Sequence, residues 1–242
     1  MTTGESTGEE TPTTPGGITT FEKLKEAIDS STTGSEVITL GADISTGSVL
    51  KIPEGKEVTI DLGGHTLTSE GYCAVENKGT VTIKNGTIVG ANNSATIVNE
   101  HSLTADGLTV NNTKDQVIEA KNAEKTELTK CNLSSTDYSV IHLYACGATI
   151  VDCALKSSST SQTAIRYNDD GITPTQMITI GGNTTVDHYI VVDMDFTCKI
   201  NVQGGCSFDP EQHYDKNTNT LTKDGSGIWT LKYGAEASTD SE

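Results

Sequence analysis

The residue types best suited to chemistry gather around the single arginine of the chain. Arg166 is followed by Asn168, Asp169 and Asp170, so a guanidinium group stands near two carboxyl groups and an amide. If the chain is an enzyme, the catalytic candidates are Arg166, Asp169 and Asp170. If it binds a polar ligand, the contact candidates are Asn168, Asp169 and Asp170. The Asn-Asp-Asp-Gly run is also typical of a surface turn, with Arg166 paired to an acidic neighbour, and we favour this interpretation.

No pattern of metal ligands in the sequence is convincing. The five histidines stand singly, without the H-x-H or H-x-x-x-H spacing of a zinc site. Asp215, Asn217 and Asn219 resemble half of a calcium loop, but Thr220 replaces the required glycine and no glutamate follows at the last ligand position. We therefore expect a solvated loop there, and we predict neither a metal nor a cofactor for the chain.

The charge and composition exclude several classes of function. The 33 acidic and 16 basic residues give a formal net charge of −17, whereas a surface that follows nucleic-acid phosphates needs an excess of Lys and Arg. The glycine patterns of kinases, P-loop proteins and Rossmann folds do not occur. No apolar run reaches the roughly 18 residues of a membrane span, and no secretory signal is visible. We expect synthesis in a cytoplasm, with no nucleic-acid or membrane partner.

The elements that must position these residues begin with a helix. Residues 1–17 and 234–242 have the composition of flexible acidic arms. Between them, residues 18–36 are predicted to form an N-terminal capping helix, because Thr19-Thr20-Phe21-Glu22 has the form of a capping box. Three apolar residues then share one face of this helix: Phe21, Leu24 and Ile28.

Residues 37–233 carry a repeat of short strands. Apolar pairs five positions apart flank small or polar residues and recur at intervals of 20 to 25 positions: Leu62/Leu67, Ile83/Ile88, Leu103/Leu108, Leu128/Leu133 and Ile150/Leu155. One such unit cannot bury its own apolar face, so the repeat predicts stacked coils. We predict an all-β fold, a right-handed single-stranded parallel β-helix, in which the first members of the five pairs form one interior column.

A β-sandwich is the alternative fold for this pattern. Asn85-Gly86 and Asp106-Gly107 are typical hairpin dipeptides, which the strands of a sandwich would need. The two dipeptides recur at the same phase of the repeat, however. This recurrence favours corners between stacked coils over hairpins.

The six cysteines are scattered and contain no C-x-x-C pair. In a protein made in a cytoplasm this indicates buried free thiols. Cys131 and Cys153 occupy equivalent positions in two repeats, and adjacent coils lie about 4.8 Å apart. We expect these two side chains to be neighbours in an interior ladder of small residues.

Several segments carry a resemblance to a known family. Residues 37–44 and 51–68, with the run Asp61-Leu-Gly-Gly-His-Thr-Leu67, resemble the opening coils of pectate-lyase-like β-helix domains, which are common in surface proteins of gut Firmicutes and in their bacteriophages. Gly204-Gly-Cys-Ser-Phe-Asp-Pro210 and Gly227-Ile-Trp-Thr-Leu231 resemble the coil terminator of the same proteins. The resemblance spans residues 18–233 and implies the fold. It does not imply one activity, because β-helices host lyases, hydrolases, adhesins and virion proteins alike.

The catalytic hypothesis can be compared with the motifs that enzymes of this family are expected to carry. Pectate-lyase-like enzymes are expected to hold calcium with several aspartates and to use Arg or Lys as a base, which would combine Arg166 with Asp193 and Asp195 one coil later. Polygalacturonase-like hydrolases are expected to carry Asn-Thr-Asp, an Asp pair, Gly-His-Gly and Arg-Ile-Lys, of which only the Asp pair occurs. Because no motif set is complete, we predict that the chain is not an enzyme.

The most economical hypothesis is a non-enzymatic virion structural protein of a bacteriophage, either a capsid decoration or head fibre or a tail-associated surface-binding β-helix. A bacterial cell-surface adhesin domain is the first alternative, and a polysaccharide lyase or glycoside hydrolase is the second. The expected partners are other virion proteins or a host-surface glycan, bound through the loop 168–174 and coil faces rich in Thr and Asn. The expected location is the virion surface or, for an adhesin, the bacterial cell surface, and a homo-oligomer is compatible with the sequence.

Overall fold

The computed structural model describes residues 16–32, 36–90, 94–158, 163–169, 171, 175–193 and 196–234. It is a parallel β-solenoid of about seven turns with a single short helix near the N-terminus, which confirms the all-β prediction. The arms predicted at 1–17 and 234–242 lie almost wholly outside the described residues. Within the described ranges, no helix is both long enough and apolar enough to cross a membrane.

The described residues form one α-helix, one 3-10 helix and 22 strands. The helix α1 is Phe21–Ser30, and a 3-10 helix covers Pro210–Gln212. The strands are β1 (Val37–Thr39), β2 (Ile44–Thr46), β3 (Leu50–Ile52), β4 (Glu57–Asp61), β5 (Thr66–Ser69), β6 (Val75–Asn77), β7 (Thr80–Gly90), β8 (Ile97–Asn99), β9 (Ser102–Asn112), β10 (Ile118–Lys121), β11 (Lys125–Thr129), β12 (Asn132–Ser135), β13 (Ile141–Tyr144), β14 (Ala148–Val151), β15 (Ala154–Ser157), β16 (Thr163–Asn168), β17 (Met177–Gly181), β18 (Thr185–Val186), β19 (Tyr189–Val192), β20 (Thr197–Val202), β21 (Asn219–Lys223) and β22 (Trp229–Tyr233).

The strands form two sheets around one interior. Sheet A has seven strands, in the order β19, β16, β13, β10, β8, β6 and β3. The other sheet has fifteen strands and two flanks. Flank B1 contains β1, β4, β7, β9, β11, β14, β17 and β20, and flank B2 contains β2, β5, β7, β9, β12, β15 and β18. Strands β7 and β9 belong to both flanks because each is eleven residues long and turns a corner between them.

Register places apolar residues in columns along the solenoid axis. The column inside flank B2 is Ile44, Leu67, Ile88, Val110, Leu133, Leu155 and Val186. The column inside sheet A is Leu50, Val75, Ile97, Ile118, Ile141, Ile165 and Ile190. All of these side chains are buried, and each contributes about 1.5–3 kcal/mol relative to an exposed side chain. The coils therefore stabilise one another, as the repeat predicts.

The column predicted for flank B1 is correct only in part. The observed column is Ile60, Ile83, Ala105, Leu128, Ile150 and Ile180. Leu103 lies in register with Val81, two positions before this column, and Leu62 lies beyond the end of β4. Both are buried elsewhere in the core. The prediction followed the largest apolar residues, whereas the interior position of β9 is occupied by an alanine.

The corner between flanks B1 and B2 is formed by residues whose backbone lies in the left-handed region, with positive φ. The φ angles are +57° at Asn85, +63° at Gly107, +52° at Lys130, +54° at Asp152 and +59° at Gly182. These residues stack on successive coils because their neighbours are in register. Asn85 and Gly107 thus turn corners inside the long strands β7 and β9, which supports the solenoid and excludes the hairpins of a sandwich at these two points.

The helix α1 covers the first coils. Phe21, Leu24 and Ile28 are buried, as predicted. The N-cap is Thr20, whose hydroxyl accepts a hydrogen bond from the Lys23 N–H at 3.4 Å. The capping box predicted from Thr19 is therefore one residue too early, because Thr20 is the last extended residue before the helix.

The C-terminal end of α1 is held by a lysine from the solenoid. Lys56 Nζ donates hydrogen bonds to the Asp29 carbonyl at 2.6 Å and to the Ser31 carbonyl at 2.8 Å. The last carbonyls of a helix carry partial negative charge and lack intrahelical partners. The ammonium group thus binds two carbonyl oxygens at the C-terminal end of α1 and links the helix to the adjacent coil.

The C-terminal end of the solenoid is closed differently. Strand β22 is antiparallel to β20, and β21 is antiparallel to β22, whereas the sequence predicted parallel coils up to residue 233. The hairpin lets the chain finish against the last coil, with Leu231 fully buried. Trp229 is half-buried beneath Lys223, whose Nζ lies 4.7 Å from the ring centroid.

All six cysteines are free thiols, and five of them are buried, in agreement with the prediction. Cys131 and Cys153 are neighbours, since the Cys131 N–H donates to Cys153 Sγ at 3.3 Å. The adjoining positions of the same ladder are Leu108 and Thr184, which are also buried. The predicted contact is confirmed, but the ladder is not made of small residues alone.

Candidate functional site

Two of the sequence-predicted candidates, Arg166 and Asn168, lie on the outer face of sheet A. In β13 and β16, His142 is in register with Arg166, and Tyr144 with Asn168. Asp193 follows directly after β19, the next strand of the sheet. Because alternate residues of a strand point to the same side, Arg166 and Asn168 face outward while Tyr167 between them is buried. The fold therefore gathers residues from three coils into one polar cluster.

Arg166 forms an ion pair within this cluster. Its guanidinium lies 3.5 Å from Asp193 Oδ2, and the two side chains are 37% and 29% exposed. Asp193, one coil after Arg166 in the repeat, lies close to it, and the predicted proximity is confirmed. The pair is partly screened by solvent, so its attraction is modest.

Asn168 links the ion pair to His142. When its amide nitrogen faces the neighbouring acceptors, Asn168 donates to His142 Nε2 at 3.1 Å and to Asp193 Oδ2 at 3.3 Å. An unprotonated imidazole nitrogen accepts such a bond. The pKa of His142 is lowered, first because burial disfavours the charged ring and further because Arg166 lies close by. His142 is thus a neutral acceptor in the folded protein near pH 7.

Asp169 is not part of this cluster. Its side chain is nearly buried, and its Oδ1 accepts a hydrogen bond from the Gly171 N–H at 2.5 Å. This is the local turn bonding that Asn-Asp-Asp-Gly runs typically show. Asp170 and Asp195 lie outside the described residues, as does most of the loop 168–174. The structure therefore describes Arg166, Asn168 and Asp169 of the predicted site, and it places only the first two together.

Two further members of this face, His142 and Glu119, are hard to predict from the sequence. His142 lies between Ile141 and Leu143, so strand alternation directs it outward, whereas no pattern marks Glu119, which is in register with it on β10. Glu119 is paired with Lys121 at 3.0 Å. Nearby, burial raises the pKa of Asp115, and the negative charge of Glu119 adds to this. Only the register of sheet A, which requires the coil boundaries, brings these groups together.

In the loop that resembles half of a calcium site, the Asp215 carboxylate is bound by other residues of the same loop. Asp215 Oδ1 accepts from the N–H and the side-chain amide of Asn217, both at 3.0 Å, and Oδ2 accepts from the Thr218 hydroxyl at 3.1 Å. Asn219 is buried and donates to the Val192 carbonyl at 2.8 Å. Among the residues that the structure describes, no group of three or more His, Cys, Asp and Glu could hold a metal ion.

The cluster around Arg166 can bind polar groups but offers little chemistry. Asp193 is shared between the guanidinium and the Asn168 amide, and His142 already accepts from that amide. These contacts occupy Asp193 Oδ2 and His142 Nε2, and the guanidinium keeps an exposed edge. Comparison of the chain with protein-family models, curated proteins and solved structures finds no match.

Proposed function

We propose that the protein is a non-enzymatic, surface-binding β-helix of a bacteriophage virion, acting as a capsid decoration, a head fibre or a tail-associated module. The observation that carries the non-enzymatic part is the ion-paired polar cluster on sheet A. Arg166, Asn168 and Asp193 bond to one another, and Asp169 bonds to its own turn. A catalytic base or acid needs a free lone pair or proton within reach of the substrate.

The virion assignment is supported by the family resemblance and by the shape of the solenoid. Its N-terminal end is covered by α1, and its C-terminal end is closed by an antiparallel hairpin. Closed ends prevent edge-to-edge association of the terminal coils, which suits a rod displayed outside a particle. Other virion proteins or a host-surface glycan are the partners that this role implies.

The test has two parts. The purified chain is incubated with a panel of polysaccharides that includes polygalacturonate, and soluble products are measured, with Arg166→Ala and Asp169→Ala as controls. We expect no product from any substrate. Cleavage that either substitution abolishes would replace the proposal with a lyase or hydrolase.

The second part locates the protein. Gold-labelled antibodies raised against the chain are applied to phage particles purified from a host that carries its gene. We expect labelling of intact particles. Labelling of the host cell wall in the absence of particles would favour a bacterial adhesin instead.

A further inference from the structure

A groove with a volume of about 470 Å³ runs between α1 and the first strand of sheet A. Phe21, Lys25 and Asp29 line it from the helix, and Val49 and Lys51 line it from the segment that contains β3. We call this cavity the α1 groove. Helix residues four apart share one face, so the groove follows the helix for about 12 Å. This is the length of about four residues of extended chain.

The wall of the α1 groove that β3 forms is an unpaired strand edge. Among the described residues, β3 pairs with β6 alone. The Leu50 N–H donates to the Ala74 carbonyl at 2.9 Å, and the Lys78 N–H donates to the Ile52 carbonyl at the same distance. Successive residues of a strand direct their backbone groups to opposite sides within the sheet. The N–H and C=O of Lys51 therefore point away from β6, toward the end of the solenoid where α1 lies.

The same end of the solenoid already contains a strand addition. On flank B1, the edge of the first coil is covered by Ile18, whose N–H donates to the Thr39 carbonyl and whose carbonyl accepts from the Gly41 N–H, both at 2.8 Å. This bridge of two hydrogen bonds is parallel. Lys51 offers the same pair of groups on sheet A. An unpaired edge of this kind is a template for an extended segment.

The residues around β3 limit the length of a segment that this edge can bind. Pro53 follows β3 directly and has no N–H to donate, and its carbonyl accepts from the Lys56 N–H at 3.2 Å. Before β3, the Ser48 carbonyl accepts from the Ser69 hydroxyl at 3.0 Å. The edge therefore accepts a segment of about three residues. A short edge binds one segment without promoting uncontrolled association.

The apolar side chains of the α1 groove indicate what the segment must carry. Phe21, the half-buried Val49 and the ring of Tyr72 all line it. Tyr72 is 54% exposed, so much of its ring meets solvent. A large exposed ring leaves apolar surface in water. An apolar side chain of the segment would cover this surface.

The charged side chains of the α1 groove favour an acidic segment. Lys25 and Lys51 line it with side chains that are 49% and 68% exposed. Each has an acidic neighbour, Glu22 at 3.6 Å and Glu76 at 3.2 Å, but an ammonium group has three donors and keeps some for a ligand. Among the lining residues Asp29 is the single acidic one. In a chain of net charge −17, this groove is a place where a carboxylate meets two cations.

We propose that the α1 groove binds an extended segment of another virion protein by strand addition to β3. The segment exchanges two backbone hydrogen bonds with Lys51 and places an apolar side chain against Phe21, Val49 and Tyr72. Its carboxylate lies beside Lys25 and Lys51. The inference rests on the proposed function for the source of the segment, and it adds the place and the mode of binding.

The first test uses the intact chain and two libraries of heptapeptides with blocked ends. The acidic library is Thr-Glu-X-Thr-X-Glu-Thr, in which X is Val, Ile, Leu, Phe or Tyr, and the basic library replaces both Glu residues with Lys. Peptides retained by the immobilised protein are identified by mass spectrometry and titrated by fluorescence anisotropy. We expect acidic peptides with a Kd below about 1 mM. Their basic counterparts should bind at least about tenfold more weakly.

Two modifications separate strand addition from binding through side chains. N-methylation of the central amides of the best peptide removes backbone donors and keeps every side chain. Lys51→Pro removes the open N–H of the edge and spares the hydrogen bonds from β3 to β6, which Leu50 and Ile52 make. Each change should weaken binding at least about tenfold. Lys51→Gln, which keeps the N–H and removes the ammonium, should weaken binding only about twofold to fivefold.

A matched pair of variants on α1 tests the charge. Lys25 lines the α1 groove, whereas Lys23 is exposed on another side of the helix. Lys25→Glu should weaken binding of the best acidic peptide about fivefold or more, and Lys23→Glu should retain binding within about twofold. Circular dichroism and thermal unfolding of all variants confirm that the fold is kept.

Four outcomes would overturn the proposal. The first is that no acidic peptide binds with a Kd below about 1 mM, or that the basic peptides bind as tightly. The second is that N-methylation and Lys51→Pro leave binding unchanged. The third is a dimer in solution that Lys51→Pro dissociates, which would assign the groove to a second copy. The fourth is tighter peptide binding to Glu5→Gln/Glu9→Gln/Glu10→Gln, which would assign the groove to the first residues of the chain itself.

Failure of the proposed function has a different signature. Antibody labelling of the host cell wall in the absence of particles would refute the virion source of the segment. It would leave the measured peptide affinities and their dependence on Lys51 unchanged. The two failures are therefore distinguishable.

Discussion

The charged face, on the outside of sheet A, and the polar face, on the outside of flank B2, rest on the same coils but differ in how their groups are satisfied. The polar face consists of two rows in register: Ser45, Thr68, Val89, Asn111 and Ser134, and Thr66, Thr87, Thr109 and Asn132. On sheet A, opposite charges pair with one another. Lys51 pairs with Glu76 at 3.2 Å and Lys78 with Glu100 at 3.4 Å between adjacent coils, and Lys78 also pairs with Glu76 at 3.4 Å within one coil. On flank B2, hydroxyl and amide groups repeat without charge. Side chains that neutralise one another leave little for a ligand, whereas a row of hydroxyls keeps donors and acceptors available.

The largest expected effect tests whether the two faces share one core. Ile88 lies beneath the polar face and Ile141 beneath the charged face, and both are fully buried. Ile88→Ala and Ile141→Ala should each lower the free energy of unfolding by about 2–5 kcal/mol. Urea denaturation measures this. A loss at only one site would show that flank B2 and sheet A unfold separately, contrary to a common interior.

The next effect concerns the N-terminal end that both faces share. Lys56→Met keeps the aliphatic stem but removes the ammonium that binds the Asp29 and Ser31 carbonyls. We expect a loss of about 1–2 kcal/mol in unfolding free energy. Lys114→Met, at an exposed loop position, is the control and should change stability little. Equal stability of the two variants would remove Lys56 from the account of the cap.

The charged face should also respond to pH. The pKa of His142 is lowered in the fold, so the folded chain binds fewer protons than the unfolded chain once the pH falls below the ordinary histidine pKa of about 6.5. Stability due to neutral His142 is then present above that pH and is lost as the pH falls. His142→Gln should flatten the decline between pH 7.5 and 5, as measured by thermal unfolding. A steeper decline in the variant would contradict this assignment.

The smallest expected effect is that of the Arg166 ion pair. Because both partners are partly exposed, Arg166→Ala should change the free energy of unfolding by less than about 1 kcal/mol. A double-mutant cycle with Asp193→Asn isolates the pair. A coupling free energy between Arg166 and Asp193 well above about 1 kcal/mol would indicate a more rigid cluster than the exposure of these side chains suggests.

The sequence predicts the interior better than the site, for a physical reason. Apolar residues at a period of 20 to 25 positions can be buried only by stacking, so the coils and the strands of sheet A follow from the pattern. The register needs knowledge of each corner, and Ala105 rather than Leu103 occupies the column of Ile83. Asn77 and Asn99 give no sign of burial, yet both are fully buried and joined by a hydrogen bond of 2.7 Å.

The candidate site around Arg166 could likewise be predicted only in part from the sequence. Arg166 and Asp193 could be paired from the repeat length, because they lie on successive coils. Asp169 could not be placed, since its direction depends on the turn after β16 and on its bond to Gly171. The polar face is visible only after register is known, because its members, Val89 and single Thr, Ser and Asn residues, are scattered over five strands.

The most direct test of the central claim, that parallel coils stack in one register, is disulfide cross-linking of the variant Thr87→Cys/Thr109→Cys. Thr87 and Thr109 are register partners on adjacent coils, about 4.8 Å apart, which is within the Cα separation that a disulfide spans. We predict that mild oxidation joins this pair and leaves Thr66→Cys/Thr109→Cys, two coils apart, unjoined, as measured by mass spectrometry. Cross-linking of the second pair without the first would contradict the register.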